Sequence, residues 1–191
     1  MTVAGVLLAA GESTRFGASN KLLEPVDGIP IVRRAAETLV AADVSPVVVV
    51  LGADARDVRA AIAALPVHVV ENPDYDHGQA TSVATGVTAV ADRADAFVIA
   101  LGDMPWVSPQ SVNALVAAYR AGEGEALAAS YQGTRGNPVL FDRQYTDALL
   151  AIDGDVGGRD IIREEGRLIE TGDPGVRQDV DTPEDLDTTQ R

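Results

Sequence analysis

Apolar residues follow two alternating rhythms along the chain. Val3 to Ala9, Val47 to Leu51, Val67 to Val70 and Phe97 to Leu101 are short apolar runs of strand length, the pattern of strands buried on both faces. Between them lie segments of helical period: Ile31 to Ala42, with Ile31, Ala35, Leu39 and Ala42 in phase, then Asp54 to Ala64, Thr81 to Ala91 and Ser108 to Ala121. Ser45-Pro46 closes the first helix, and Ser108 with Pro109 opens the last one as N-cap and first-turn residue. The alternation predicts an α/β fold in three layers, α/β/α, around a mostly parallel sheet, because parallel neighbours need right-handed crossovers. After Gly122 the rhythm weakens. Ala126 to Tyr131 and Asn137 to Phe141 read as strands joined by a loop from Gly133 to Gly136. No repeat or long linker interrupts the chain, so residues 1–191 read as a single domain.

Composition removes whole classes of function. The longest apolar runs fall far short of the roughly 20 residues of a membrane-crossing helix. The start, MTVAGVLLAAGE, lacks the basic leading segment of a signal peptide, so a cytoplasmic protein is expected. With no cysteine, disulfides, thiolate catalysis and cysteine-ligated zinc are excluded. The two histidines cannot make a histidine-rich metal site: His68 sits inside an apolar run and reads as structural, and His77 lies beside Asp74 and Asp76 in a loop. Any metal must therefore be a hard cation held by carboxylates. The net charge of −14 opposes binding to nucleic acid or an anionic membrane.

Ligands of an open α/β sheet sit beyond the carboxyl ends of the strands. Three segments leave such ends with polar or glycine-bearing sequence: Ala10 to Lys21, Gly52 to Asp54 and Gly102 to Pro105. The first is far longer than the roughly 2 to 6 residues usual between a strand and a helix. It carries Arg15 and Lys21, a local reversal of sign in an acidic chain, beside the small residues Ala9, Ala10 and Gly11. Backbone N–H groups with Arg and Lys are what a triphosphate requires. The spacing fits neither GxGxxG nor GxxxxGK[ST], which removes the main support for dinucleotide and P-loop readings. Asp103 follows a strand between Gly102 and Pro105, and Asp181 precedes a helix start with Thr182 as N-cap and Pro183 at the first position. Trp106, just past the first of these acids, reads as core or pocket wall.

These residues resemble a known family. LLAAGESTRFGASNKLL is similar to the opening motif of nucleotidyltransferases with a GT-A-like Rossmann fold, LAAGxSxRxG followed by Lys. Further along, NPDYDHGQATSVATGV, ALGDMPWVSP, RGNPVLF, GDVGGRD and DVDTPEDL resemble, in order, segments of the molybdenum cofactor cytidylyltransferases and their relatives. The resemblance spans almost the whole chain. It implies that the backbone of Leu8, Ala9, Ala10 and Gly11 lines base and ribose, that Arg15 and Lys21 grip the triphosphate, and that Ser82 approaches the base. It further implies that Asp103 holds Mg²⁺, with Asp181 as second ligand. The implied reaction transfers a nucleoside monophosphate, CMP foremost, from CTP or GTP to a phosphorylated pterin such as molybdopterin, with a molybdenum hydroxylase as eventual recipient. Two alternatives accompany it. One is an NAD(P)H-dependent oxidoreductase of the same branch, for which Asp54 is the candidate ribose-binding acid; the other is a non-catalytic molybdenum-cofactor chaperone.

Of the 15 basic residues 14 are Arg, which a salt-loving source or GC-rich codons would each produce. Like-charge repulsion across the surface weakens as the Debye length falls to about 3 Å at 1 M salt. A halophilic chain is expected to gain melting temperature steadily from dilute buffer to molar KCl; a flat profile assigns the arginine bias to codon usage.

Overall fold

The computed structural model describes residues 1–13, 16, 19–154 and 158–187. Seven strands build the main sheet: β1 (Val3–Ala9), β4 (Val47–Leu51), β5 (His68–Glu71), β6 (Ala96–Leu101), β7 (Ala126–Tyr131), β8 (Thr134–Asp142) and β9 (Arg167–Glu170). Their order is β5-β4-β1-β6-β8-β7-β9. All neighbours pair in parallel except β8, which runs against both β6 and β7. A separate hairpin, β2 (Pro25–Val26) and β3 (Ile29–Pro30), sits in the long connection after β1.

Both faces of the central strands are buried, which is why their sequences read as continuous apolar runs. In β1 the odd residues Val3, Leu7 and Ala9 enter one core, together with α1 (Ile31–Val40), α2 (Ala55–Ile62) and α4 (Pro109–Arg120). Its even residues Ala4, Val6 and Leu8 enter the opposite core, with α3 (Gln79–Val90), α5 (Thr146–Leu150) and α6 (Arg159–Glu165). This is the three-layer architecture read from the periodicity. Helix α3 lies unusually close to the sheet at Gly86, where a Cβ would come within 2.3 Å of Val6 Cγ1. No helix among the described residues is long and apolar enough to cross a membrane.

Several boundaries differ from the pattern, each for a local reason. The Gly133 to Gly136 loop is shorter than expected: Gln132 and Gly133 both take positive φ, +51° and +72°, and close a two-residue hairpin turn. The remaining residues continue β8, and Gly136 is needed where a Cβ would strike the Val176 carbonyl at 2.0 Å. Asp27-Gly28, at φ +50° and +80°, makes the same kind of turn between β2 and β3. His68 is exposed at the start of edge strand β5 instead of structural. Strand β9 has only one partly buried residue, Ile169, so no apolar alternation announces it.

The carboxyl-terminal segment is fastened to α4 by one side chain. Asp173 Oδ2 accepts from Ser108 N–H at 2.9 Å and from the Ser111 hydroxyl at 2.6 Å, and its Oδ1 accepts from Gly175 N–H at 2.8 Å. Ser108 is the N-cap of α4, as its sequence indicated. Burial raises the Asp173 pKa, but these donors outweigh it and leave the carboxyl below its ordinary value. A depressed carboxyl stabilises the fold above its unfolded pKa, near 3.9, and that contribution disappears as pH falls through the folded value. Asp173→Ala is expected to cost about 2 kcal/mol at pH 7, or roughly 4–8 °C in a chain of this size. Thermal melts from pH 7 downward check this, with the gap to the unmodified chain narrowing below about pH 4.

Candidate active site

Order of the strands locates the site before any side chain does. Chain connections leave β1 toward β4 on one side and return to β6 on the other, so the crevice opens at the carboxyl ends of β1 and β6. A cavity of about 380 Å³ lies there. Leu8, Ala10, Gly11, Lys21, Ser82 and Asp103 line it, six of the residues singled out from sequence. Ala9 is 1% exposed and turns its methyl into the core instead. Arg15 lies outside the described residues.

Close backbone approach shapes the floor. Gly102 N–H donates to the Leu8 carbonyl at 2.8 Å, and a Cβ on Gly102 would lie 2.9 Å from that oxygen. On the other side Ala53 N–H donates to the Ala10 carbonyl at 3.2 Å, where Gly52 leaves room. Glycine at both strand ends lets the chain after β1 run between its neighbours without a side chain in the crevice. Ser82, 5% exposed on α3, accepts from Asn72 Nδ2 at 3.0 Å.

Lys21 is delivered by a locked turn. Asn20 Oδ1 accepts from Leu22 N–H at 3.0 Å and from the Ser13 hydroxyl at 3.1 Å, while Asn20 Nδ2 donates to Asp54 Oδ2 at 3.1 Å. With Asn20 and Leu22 both buried, the intervening lysine has one direction left, toward the acids. Its Nζ donates to Asp103 Oδ2 at 2.8 Å and to Asp181 Oδ1 at 3.0 Å. Burial pulls the ammonium pKa down, yet Asp103 and Asp181 outweigh it and leave it raised.

Asp181 arrives with a neighbour that the sequence reading passed over. Val180 is fully buried and donates its N–H to the Asp103 carbonyl at 2.9 Å. Asp179 and Asp181 flank it, and both carboxylates come to Asp103: one oxygen from each of the three lies within 4.8 Å of the others. The signal for Asp179 is the triplet Asp-Val-Asp itself, since extended chain places residues on either side of a buried one on the same face. Asp179 has a raised pKa, first through desolvation and then through repulsion by Asp103 and Asp181. Asp103 Oδ1 is buried without a hydrogen-bond partner among the described residues. A buried carboxylate oxygen left open within an acidic trio fits a hard divalent cation. Behind the trio, Asp185 Oδ2 accepts from Asp181 N–H at 2.9 Å and Thr182 N–H at 2.7 Å, a capping arrangement at α7 (Pro183–Asp187) that holds Asp181 in place. Tyr75, Asp76 and Gln79 also line the cavity and were not singled out from sequence.

An ammonium and a carboxylate cluster gathered at one crevice can meet phosphate charge and hold its counter-cation together. The chain belongs to the family of the MobA-like NTP transferase domain, whose model matches residues 5–169. It is an enzyme of nucleotidyl transfer, acting on a nucleoside triphosphate and an acceptor. It is 34% identical to nicotine blue oxidoreductase of Paenarthrobacter nicotinovorans, over 96% of this chain and 94% of that protein. It is 31% identical to a probable molybdenum cofactor guanylyltransferase of Natronomonas pharaonis, over 96% and 94%. The crystal structure of Rv0371c from Mycobacterium tuberculosis in complex with manganese superposes with a TM-score of 0.80 at 27% identity, covering 98% of this chain and 97% of that one.

Lys21→Ala leaves the acidic trio without its ammonium. The variant is expected to lose about 2 kcal/mol in EDTA, and to recover part of it in millimolar MgCl₂ as the ion binds the folded state. Melting curves of both proteins with and without the ion check this; a variant whose melting temperature does not rise with MgCl₂ would show that its carboxylates take no cation.

Proposed function

We propose that this chain, as one catalytic unit over residues 1–191, transfers a nucleoside monophosphate from a nucleoside triphosphate to a phosphorylated pterin of the molybdenum-cofactor type. CTP is the donor proposed, with GTP its competitor. The observation that carries the reading is the convergence of Lys21 with Asp103, Asp179 and Asp181 at the mouth of the β1–β6 crevice. In this reading the backbone of Leu8, Ala9, Ala10 and Gly11 lies along base and ribose, and Ser82 closes on the base. Arg15 and Lys21 face the triphosphate. Asp103 and Asp181, with Asp179, would hold Mg²⁺, which supplies charge neutralisation on the phosphate oxygens. The protein's own part is positioning: the locked Asn20–Leu22 turn aims an ammonium that can follow the departing pyrophosphate, a compact charge suited to a moving anion. A cytoplasmic location and a molybdenum hydroxylase as recipient accompany this reading.

A nicotinamide-dependent reductase is the second reading, favoured by the name of the relative from P. nicotinovorans. Asp54, the acid it would use on a ribose, has its Oδ2 engaged by Asn20 and does not line the cavity. Pyrophosphate release measured with CTP, GTP and ATP, molybdopterin supplied, tests the proposal. NAD(P)H oxidation without pyrophosphate would put the reductase in its place, and molybdopterin binding without turnover a chaperone. Asp103→Asn is expected to lower kcat by at least about 100-fold while metal-free nucleotide affinity stays within a few-fold. Steady-state kinetics with calorimetry check both; near-normal turnover would remove Asp103 from the metal site.

A further inference from the structure

Gly52 to Asp54, the polar strand end after β4, fastens both ends of the long connection that follows β1. Ala53 N–H donates to the Ala10 carbonyl at 3.2 Å where that connection starts, and Asp54 Oδ2 accepts from Asn20 Nδ2 at 3.1 Å where it reaches Lys21. Asp54 is the N-cap of α2, a place where an acid ordinarily accepts from the first N–H groups of its own helix. It makes no such bond. Ser108 and Asp173, at the N-caps of their own helices, do. Asp54 also holds a left-handed backbone at φ +51°, as does Ser13 at +54°, a conformation that is costly for residues other than glycine. Both strained residues meet on one side chain, the buried amide of Asn20.

We infer that Asp54 is a positioning residue for nucleotidyl transfer, acting through Asn20 on Lys21. This rests on the nucleotidyl-transfer reading of the crevice. The direction of every proton in the connecting hydrogen bonds follows from their two ends. A carboxylate only accepts, so Asp54 faces the amide nitrogen of Asn20; Leu22 N–H only donates, so it faces the amide oxygen. The Ser13 hydroxyl then gives its single proton to that oxygen, at 3.1 Å, and is left to accept from Lys21 N–H at 3.2 Å. The N–H groups before and after the Lys21 Cα are thus both received by side chains that Asp54 sets in order. Without an acceptor at position 54 the Asn20 Nδ2 loses this partner, and nothing on that side keeps the amide from turning over to set donor against donor at Leu22. The root of the lysine then shifts, and Nζ, at the end of four methylenes, swings with it. Such a displacement falls on turnover more than on nucleotide binding, because it misaligns a charge that the departing pyrophosphate needs in the transition state.

The test uses the full chain, with Asp54→Gly, Asp54→Asn and, as a charge control, Asp57→Asn. Glycine removes the acceptor and relieves the positive φ, so its melting temperature is expected to stay within about 4 °C of the unmodified chain. Asparagine tolerates the same φ and restores an acceptor oxygen. Asp57→Asn removes an exposed charge from the same helix start. In the pyrophosphate assay with molybdopterin, Asp54→Gly is expected to lower kcat roughly 10-fold or more, with nucleotide KM within about three-fold, while the other two variants keep near-normal kcat. Lys21 is the only lysine, so protein made with ¹⁵N-lysine shows one backbone amide signal. Its exchange with deuterated water is expected to be at least ~10-fold faster in Asp54→Gly and unchanged in Asp54→Asn. Unchanged exchange in Asp54→Gly would overturn the inference, as would a normal kcat in that variant or a loss that Asp54→Asn fails to restore. If the unmodified chain releases no pyrophosphate, the transfer reading falls and the exchange arm decides alone: faster exchange in Asp54→Gly supports the hold of Asp54 on Lys21, and unchanged exchange removes it.

Discussion

The acidic centre depends on one backbone hydrogen bond, from Val180 N–H to the Asp103 carbonyl. It joins the end of the fourth parallel strand to a segment far along the chain, and the burial of Val180 leaves Asp179 and Asp181 no other face to occupy. Three carboxylates are thereby pressed together against their own repulsion. The energy for this comes from outside the cluster. The Asp173 carboxylate fastens the turn before it to α4, and Gly175 lets that turn lie against the Trp106 backbone, where a Cβ would sit 2.1 Å from the carbonyl oxygen. Fold stability is in this way spent on holding a charge arrangement that would disperse on its own.

Charge is sorted by place in this molecule. The overall excess of acid is spread over the surface, where salt-screened repulsion between distant groups is small. At the crevice the two signs are sharply separated. Carboxylates and Lys21 gather beyond β6 on one side, while Arg135, near the start of β8, and Arg159, at the start of α6, line a smaller cleft on the other. An isolated cation would be a strong lure for free anions; Lys21 is instead kept occupied by Asp103 and Asp181.

Much of this was legible in the residues. Strands β1, β4, β6 and β7 and helices α1 to α4 could be read because each buries continuous or periodic apolar surface, and the long connection after β1 marked its own importance. Lys21, from the charge reversal in that connection, Asp103, from its place beyond a strand end, and Ser82, from the family resemblance, fall in one cavity. What escaped was structure made by backbone conformation or by tertiary contact. The Asp27-Gly28 hairpin is too short for a hydrophobic pattern, edge strand β9 has almost no buried side chain, and His68 opens an exposed strand within an apolar run. Asp179 and Asp103 come from segments far apart in the chain, and only the folded sheet brings them to one edge.

Strand β8 is the one reversed strand of the sheet, so its beginning reaches the crevice where its neighbours present their ends. Residues that face the crevice from this side belong to a hairpin whose turn, Gln132 and Gly133, is exposed to solvent. The side of the crevice formed by the ends of β1 and β6, by contrast, is built into strands buried on both faces. Such a division lets the two sides of the crevice change at different rates over evolutionary time, because the hairpin can be lengthened or recharged without disturbing the core.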